Sequence, residues 1–173
     1  ENKKLRELIN ETVQSEDVYA KVLVDKDSPY LKSIILNKGS KDNIKIGMAI
    51  VDRSYLVGKI IEVNYTNSRA LLLSDLNSKI PVLLEPMDIH AVLSGTGKNF
   101  GAIEYTKDEY KKKLTSNEII VYTSGYGGLF KPGLPVGKII TSDLNKDNEV
   151  SFFSDFRQLD YVKIVSYEIG SGN

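Results

Sequence analysis

From Tyr19 onward the chain consists of short β-branched and aromatic runs, each stopped by Gly, Pro, Asn or Asp, so that a turn signal recurs about every ten residues. Twelve runs can be marked, at 19–24, 33–37, 48–51, 57–63, 70–73, 79–84, 91–94, 100–105, 118–123, 137–141, 150–153 and 161–167. This cadence predicts a mainly β chain built as a sandwich or barrel. Twelve short strands exceed one small barrel. Two closed units would also remove the open sheet edges that short strands leave available for wrong pairing.

An internal echo supports two units. Val57-Gly58-Lys59-Ile60-Ile61 follows Gly47-Met48-Ala49-Ile50, and Val136-Gly137-Lys138-Ile139-Ile140 follows Gly133-Leu134-Pro135. In both copies the Gly would allow a bulge or the close approach of another backbone, with the Lys pointing outward. The pattern breaks at Glu85-Pro86-Met87-Asp88. The expected organisation is therefore a helical segment at 1–17, a first barrel-like domain at 18–86, a second at 87–169 in which a late strand could cross back, and a tail at 170–173.

The first residues differ in character. Leu5, Leu8, Ile9, Thr12 and Val13 recur at three- and four-residue spacing among charges, which predicts a helix with one sticky face. Two readings fit that face: the end of a coiled coil continuing from upstream, or a helix packed on its own domain.

Composition narrows the function. With 173 residues, 41% of them hydrophobic, the chain can bury a core. Lys plus Arg and Asp plus Glu each number 23, so the net charge is zero and nucleic acid is not an expected partner. There is no cysteine, and His90 is the only histidine, far short of the clusters that hold zinc or iron. No metal and no cofactor are expected. No apolar stretch of membrane-spanning length occurs, and the start at Glu1 leads us to expect that targeting and anchoring segments lie upstream.

Three further motifs fail on spacing. Asp143-Leu144-Asn145-Lys146-Asp147 opens like a calcium loop but has Asn148 at the sixth position and Ser154 at the twelfth. Ser94-Gly95-Thr96-Gly97-Lys98-Asn99 lacks the first Gly and the magnesium-binding hydroxyl of a phosphate loop. Gly95, Gly97 and Gly101 have no helix after them to face a pyrophosphate. The sharpest enzymatic candidate is Thr123-Ser124-Gly125-Tyr126-Gly127-Gly128, since a Ser among glycines in a two-barrel protein looks like the nucleophile loop of chymotrypsin-like proteases. It would need His90 as base and Asp88, Asp75 or Asp108 to orient it. The alternative is a turn in which the glycines supply positive φ and Ser124 bonds the local backbone.

Taken in order, several segments carry a resemblance to a known family. They are Glu1-Asn2-x-x-Leu5-Arg6-x-Leu8-Ile9, Asn37-Lys38-Gly39-Ser40-Lys41-Asp42, Ile46 to Asp52, Leu56 to Ile60, Leu71 to Asp75, Ile80-Pro81-Val82 and Ala91 to Gly95. The most specific are Val121 to Phe130 and Pro132-Gly133-Leu134-Pro135-Val136-Gly137-Lys138-Ile139, with Ser154-Asp155-Phe156 and Leu159 at the end. In this order they resemble the MreC family of cell-shape proteins along nearly the whole chain. Asn43 stands where that family usually has Gly, Asn117-Glu118 replaces Gly-Asp, and Phe130-Lys131-Pro132-Gly133 transposes Phe-Pro-x-Gly.

The resemblance implies a non-enzymatic scaffold on the periplasmic face of the bacterial inner membrane, held by an upstream transmembrane helix and a dimerising coiled coil. Its implied partners are the elongation-specific penicillin-binding transpeptidase with its glycosyltransferase, MreD, MreB, and further copies of itself as dimer or filament. Leu5, Leu8, Ile9 and Thr12 would then lie in the dimer helix. Gly39, Ser40, Gly47, Gly58, Thr123, Ser124, Gly125, Gly128, Pro132, Gly133 and Gly137 would be structural turn residues. The family carries no catalytic role at Ser124 to transfer. The ten tyrosines, against five Phe and no Trp, suit protein contacts. Tyr55, Tyr65, Tyr110 and Tyr126 fall in turn-like segments and are the candidate contacts, the alternative being that they cap barrel ends. Two other readings remain: a two-barrel serine hydrolase using Ser124, and an adaptor of another β-barrel family that binds peptide along a strand edge.

Overall fold

The computed structural model describes residues 17–24, 32–86, 88–104, 118–128, 130–140 and 149–166. The expected helix with Leu5, Leu8, Ile9 and Thr12, and the loop carrying Tyr110 and Asp108, lie outside them, as does the calcium-like segment at 143–148. Within the described residues the strands are β1 Val18–Val24, β2 Ser33–Leu36, β3 Ala49–Asp52, β4 Tyr55–Val63, β5 Ser68–Leu72, β6 Lys79–Glu85, β7 Ile89–Gly95, β8 Phe100–Glu104, β9 Glu118–Thr123, β10 Pro135–Ile140, β11 Glu149–Phe152 and β12 Tyr161–Val165. Each coincides with one of the twelve runs, to within a few residues at the ends. No described helix is long and apolar enough to cross a membrane.

The strands close into two six-stranded antiparallel barrels, in the order β1-β12-β3-β4-β5-β2 and β10-β11-β8-β7-β6-β9. Alternation puts one set of side chains inside each. Ile34, Leu36, Ile50, Val57 and Ile60 fill the first barrel, and Ile80, Val82, Leu84, Ile119 and Val121 the second. Burial of each such side chain contributes about 1.5–3 kcal/mol.

Sheet membership corrects the expected domain limits. β6 and β7 pair antiparallel from Lys79↔Ser94 to Leu84↔Ile89, so the whole of β6 belongs to the second barrel. The chain changes barrels earlier, between Leu72 and Lys79, and returns after Phe152 so that β12 completes the first barrel. Pro86 and Asp88 read as a domain break because a tight hairpin and a linker use the same residue types.

Both crossings are anchored by a carboxylate. In the first, the buried Asp75 accepts the Lys32 amide at 2.7 Å on Oδ2 and the Asn77 amide at 2.7 Å on Oδ1. The Gly97 and Gly95 amides donate to the Ser74 and Ser78 carbonyls, at 2.7 and 3.0 Å, tying the same segment to the second barrel. In the second crossing, Ser154 Oγ donates to Asp52 Oδ2 at 2.9 Å. Asp155 there accepts from the Arg157 side chain and amide, which holds its carboxyl below the usual carboxylate range. Between the barrels Ala49 and Leu56, facing out of the first, join the apolar cluster of the second, and Phe156 packs against both cores.

The sequence echo lands on matching places. Ile50 pairs with Gly58 while Val51 pairs with Leu56, so Val57 is the extra residue of a bulge. Pro135 pairs with Tyr122 while Gly137 pairs with Val121, so Val136 is the extra residue of another. After each bulge the Gly lies against the next strand. A Cβ on Gly58 would strike the Leu71 carbonyl, and one on Gly137 the Ser151 carbonyl. Lys138 lies half exposed beside Glu118, with 3.9 Å between Nζ and Oε1. Gly58→Ala and Gly137→Ala are each expected to lower stability by about 1–3 kcal/mol, read as a reduced midpoint in chemical denaturation. Ala at Gly127, where a Cβ meets nothing within 4 Å, should cost only about 1 kcal/mol for its positive φ.

Candidate functional site

Strands with one face in a barrel core ordinarily carry polar residues on the other. β6 and β7 depart from this rule, because Pro81 and Val92, paired directly across the two strands, both face outward. With His90, Ala91, Ser124 and Tyr126 they line an open hollow of about 210 Å³ on the second barrel. The Tyr126 ring, 74% exposed, stands over one side with its centroid 6.0 Å from that of His90 and the planes inclined by 60°.

Tyr126 is placed by the turn that follows β9. Thr123, the last residue of that strand, is buried. Its Oγ1 donates to the Lys131 carbonyl at 2.6 Å and accepts the Leu134 amide at 2.9 Å, and its carbonyl takes the Gly133 amide at 2.9 Å. Ser124 Oγ accepts the Tyr126 amide at 3.2 Å, and its own amide donates to the Pro81 carbonyl at 3.4 Å. Gly125 has φ 74°, and Pro132 stands 2.9 Å from where its Cβ would be. Gly127, Gly128 and Gly133 are left-handed too, at 74°, 67° and 85°. The glycines thus turn the chain out and back while Thr123 ties the two sides.

Ser124 and His90 share the hollow, yet among the described residues no hydrogen bond joins them. The Ser124 hydroxyl serves the turn. Asp75 is in the first crossing with both oxygens bonded to amides, and Asp88 lies exposed in the β6–β7 turn. No group of three metal-ligating side chains occurs among the described residues. Chemically the hollow offers apolar surface, two aromatic rings and little else, which suits an apolar side chain of a partner.

The other expected turn residues are structural in distinct ways. Gly39 is extended and packed so closely on Asn64 to Asn67 that a Cβ would strike backbone, and the Ser40 amide donates to the Asn64 carbonyl at 2.8 Å. Gly47 has φ 95° in open space. Asn43, which replaces a usual Gly, keeps a left-handed φ of 64°, a conformation that Asn tolerates better than most residues. Among the tyrosines, Tyr65 is 71% exposed and distant in sequence from the hollow. Tyr55 is engaged within the chain. Its ring lies 5.1 Å from that of Phe153 in the second crossing, and the Arg53 guanidinium sits 5.8 Å from its centroid, so it belongs to the seam between barrels. Pro81 and Val92 were not singled out from the sequence, although outward apolar positions within Ile80 to Leu84 and Ile89 to Leu93 were the available signal.

The fold and the hollow define a double-barrel β protein with an open apolar recess on its second barrel. Its family follows from comparison. The sequence profile of "Rod shape-determining protein MreC, barrel core" matches residues 22–166, and the chain belongs to the MreC family. The cell shape-determining protein MreC of Cereibacter sphaeroides is 34% identical over 149 residues, which are 86% of this chain and 48% of that protein, so the chain spans about half of that relative's length. The crystal structure of MreC from Pseudomonas aeruginosa superposes with a TM-score of 0.74 at 24% identity, covering 87% of this chain and 99% of that one. A complex between Penicillin-Binding Protein (PBP2) and MreC from Helicobacter pylori contains a chain with a TM-score of 0.58 at 15% identity, covering 88% of this chain and all of that one.

Thr123→Val keeps the shape of the buried side chain but leaves the Lys131 carbonyl and Leu134 amide without their hydroxyl partner. A loss of about 1–3 kcal/mol is expected, measured by thermal melting, while Thr123→Ser should lose less than half as much.

Proposed function

We propose that this chain is the periplasmic, non-catalytic part of a cell-shape scaffold that binds the elongation-specific penicillin-binding transpeptidase through the hollow of the second barrel. The observation that carries the reading is that hollow: a built, apolar recess with an exposed Tyr on a chain whose homologues are named as shape-determining proteins. The Helicobacter pylori complex supports the class of partner. Such a scaffold acts by differential affinity, favouring the active arrangement of the synthase over the idle one, because a ligand shifts an equilibrium only by its difference in binding. The remaining partners follow the family: the glycosyltransferase beside the transpeptidase, MreD and MreB through membrane and cytoplasmic segments beyond this chain, and a second copy through the helix with Leu5, Leu8, Ile9 and Thr12. The scaffold would be held at the inner membrane by a transmembrane helix ahead of Glu1. An adaptor binding peptide along a strand edge is less favoured, because both barrels are closed and leave no free edge among the described strands.

One observation favours a second reading, a serine hydrolase, since Ser124 and His90 line the same recess. The two readings part on reactivity. A fluorophosphonate probe that labels this protein, and fails to label Ser124→Ala, would establish the hydrolase; no label is expected.

For the scaffold, Tyr126→Ala and Val92→Asp are each expected to weaken binding of the purified transpeptidase at least about tenfold, equivalent to about 1.4 kcal/mol, by surface plasmon resonance. Tyr65→Ala should leave it unchanged. Equal binding by all three variants would remove the hollow as the contact.

A further inference from the structure

We infer that β12 is a separable closing strand: the first barrel stays open until the end of the chain is delivered to it, whereas the second barrel closes by itself. β12 occupies the position between β1 and β3, paired on one side from Val18↔Ile164 to Lys21↔Tyr161 and on the other from Lys163↔Val51 to Val165↔Ala49. Its inward residues Val162 and Ile164 are 2% and 1% exposed in the first core. Without it, β1 and β3 would each present a row of unsatisfied amides and carbonyls flanking a gap one strand wide. All six strands of the second barrel lie between Lys79 and Phe152.

The two barrels themselves supply an independent argument. Followed around the sheet from β6, the second barrel runs β6-β7-β8-β11-β10-β9; followed from β12, the first runs β12-β1-β2-β5-β4-β3. These are one topology, and the bulges at Val57 and Val136 fall on equivalent strands. The first barrel is therefore the second one with its opening strand moved to the far end of the chain. Joining that strand ahead of β1 would restore the contiguous order that the second barrel already uses.

The gap that β12 fills is accordingly a binding site for an antiparallel strand with apolar residues at alternate positions, the chemistry of strand addition. The native chain supplies that strand in cis. The Val22 amide donates to the Asp160 carbonyl at 2.8 Å, and Lys163 pairs with Asp17 at 3.5 Å to close the rim. Because the two ends of the chain must meet, a chain lacking its last segment displays only the second barrel. Only chains that include β12 present the first.

The test is amide hydrogen exchange, strand by strand, on two versions of the full chain. In Val162→Asp, exchange across β1–β5 should speed up by about a hundredfold or more while β6–β11 change by less than about threefold, as expected when one cooperative unit opens alone. In a rearranged chain, residues 159–166 are moved ahead of Asp17 on a short Gly-Ser linker and the chain ends at residue 158. There β1–β5 should be as protected as in the native order. Loss of protection in both barrels together in Val162→Asp, or no loss in either, overturns the inference. So does a rearranged chain in which β1–β5 remain unprotected.

Discussion

An antiparallel strand has hydrogen-bonding groups on both sides, and a sheet that ends leaves one row of them without partners. Closure into barrels removes that row, and the remainder of this structure depends on how closure is achieved twice in one chain. In the second barrel six successive strands suffice. The first lacks one strand along its contiguous stretch and receives it from the other end of the chain, which forces two crossings between the barrels.

A crossing segment leaves sheet pairing, so its backbone needs other partners. Asp75 and Asp52 supply them, one by accepting two amides and the other by holding Ser154. With Leu56 and Ala49 packed into the neighbouring cluster and Phe156 touching both cores, the connections are fastened on polar and apolar sides alike. Side chains that would otherwise offer contact area, Tyr55 among them, are used along this seam. The outward apolar pair Pro81 and Val92 lies instead on β6 and β7 of the second barrel, beside the hollow.

Beside that hollow, Tyr126 is positioned by backbone chemistry. Tyr126 sits in a turn of left-handed glycines, and that turn is held because the hydroxyl of Thr123, at the end of β9, bonds both Lys131 and Leu134 on the returning segment. A Ser among glycines in a two-barrel protein looks like a nucleophile loop for the same reason: both uses require a tight turn with amides pointing inward. Here the Ser124 hydroxyl accepts one of the turn's own amides.

Local chemistry made the strands legible. Runs of Val, Ile and Tyr stopped by Gly, Asn or Pro mark strand and turn whatever the strand pairs with, so all twelve elements and the two-barrel architecture could be read from the residues in order. The Val-Gly-Lys-Ile-Ile echo likewise marked the two bulged strands, because a Gly pressed against a neighbouring carbonyl leaves its signature in the sequence. Which strand belongs to which barrel was not legible, since β12 has the same alternating pattern wherever it pairs, and a hairpin at Pro86 uses the residues of a linker. The same holds for the site: the turn carrying Tyr126 was visible in its glycines, but the hollow needs Pro81, His90 and Val92 brought beside it by pairing between distant strands. The amino-acid order alone determined the number, type and placement of the strands, because those depend on neighbours in the chain. Barrel membership, the seam and the hollow were decided by the tertiary structure, because hydrogen bonding between strands carries no record in either strand of the partner it will meet.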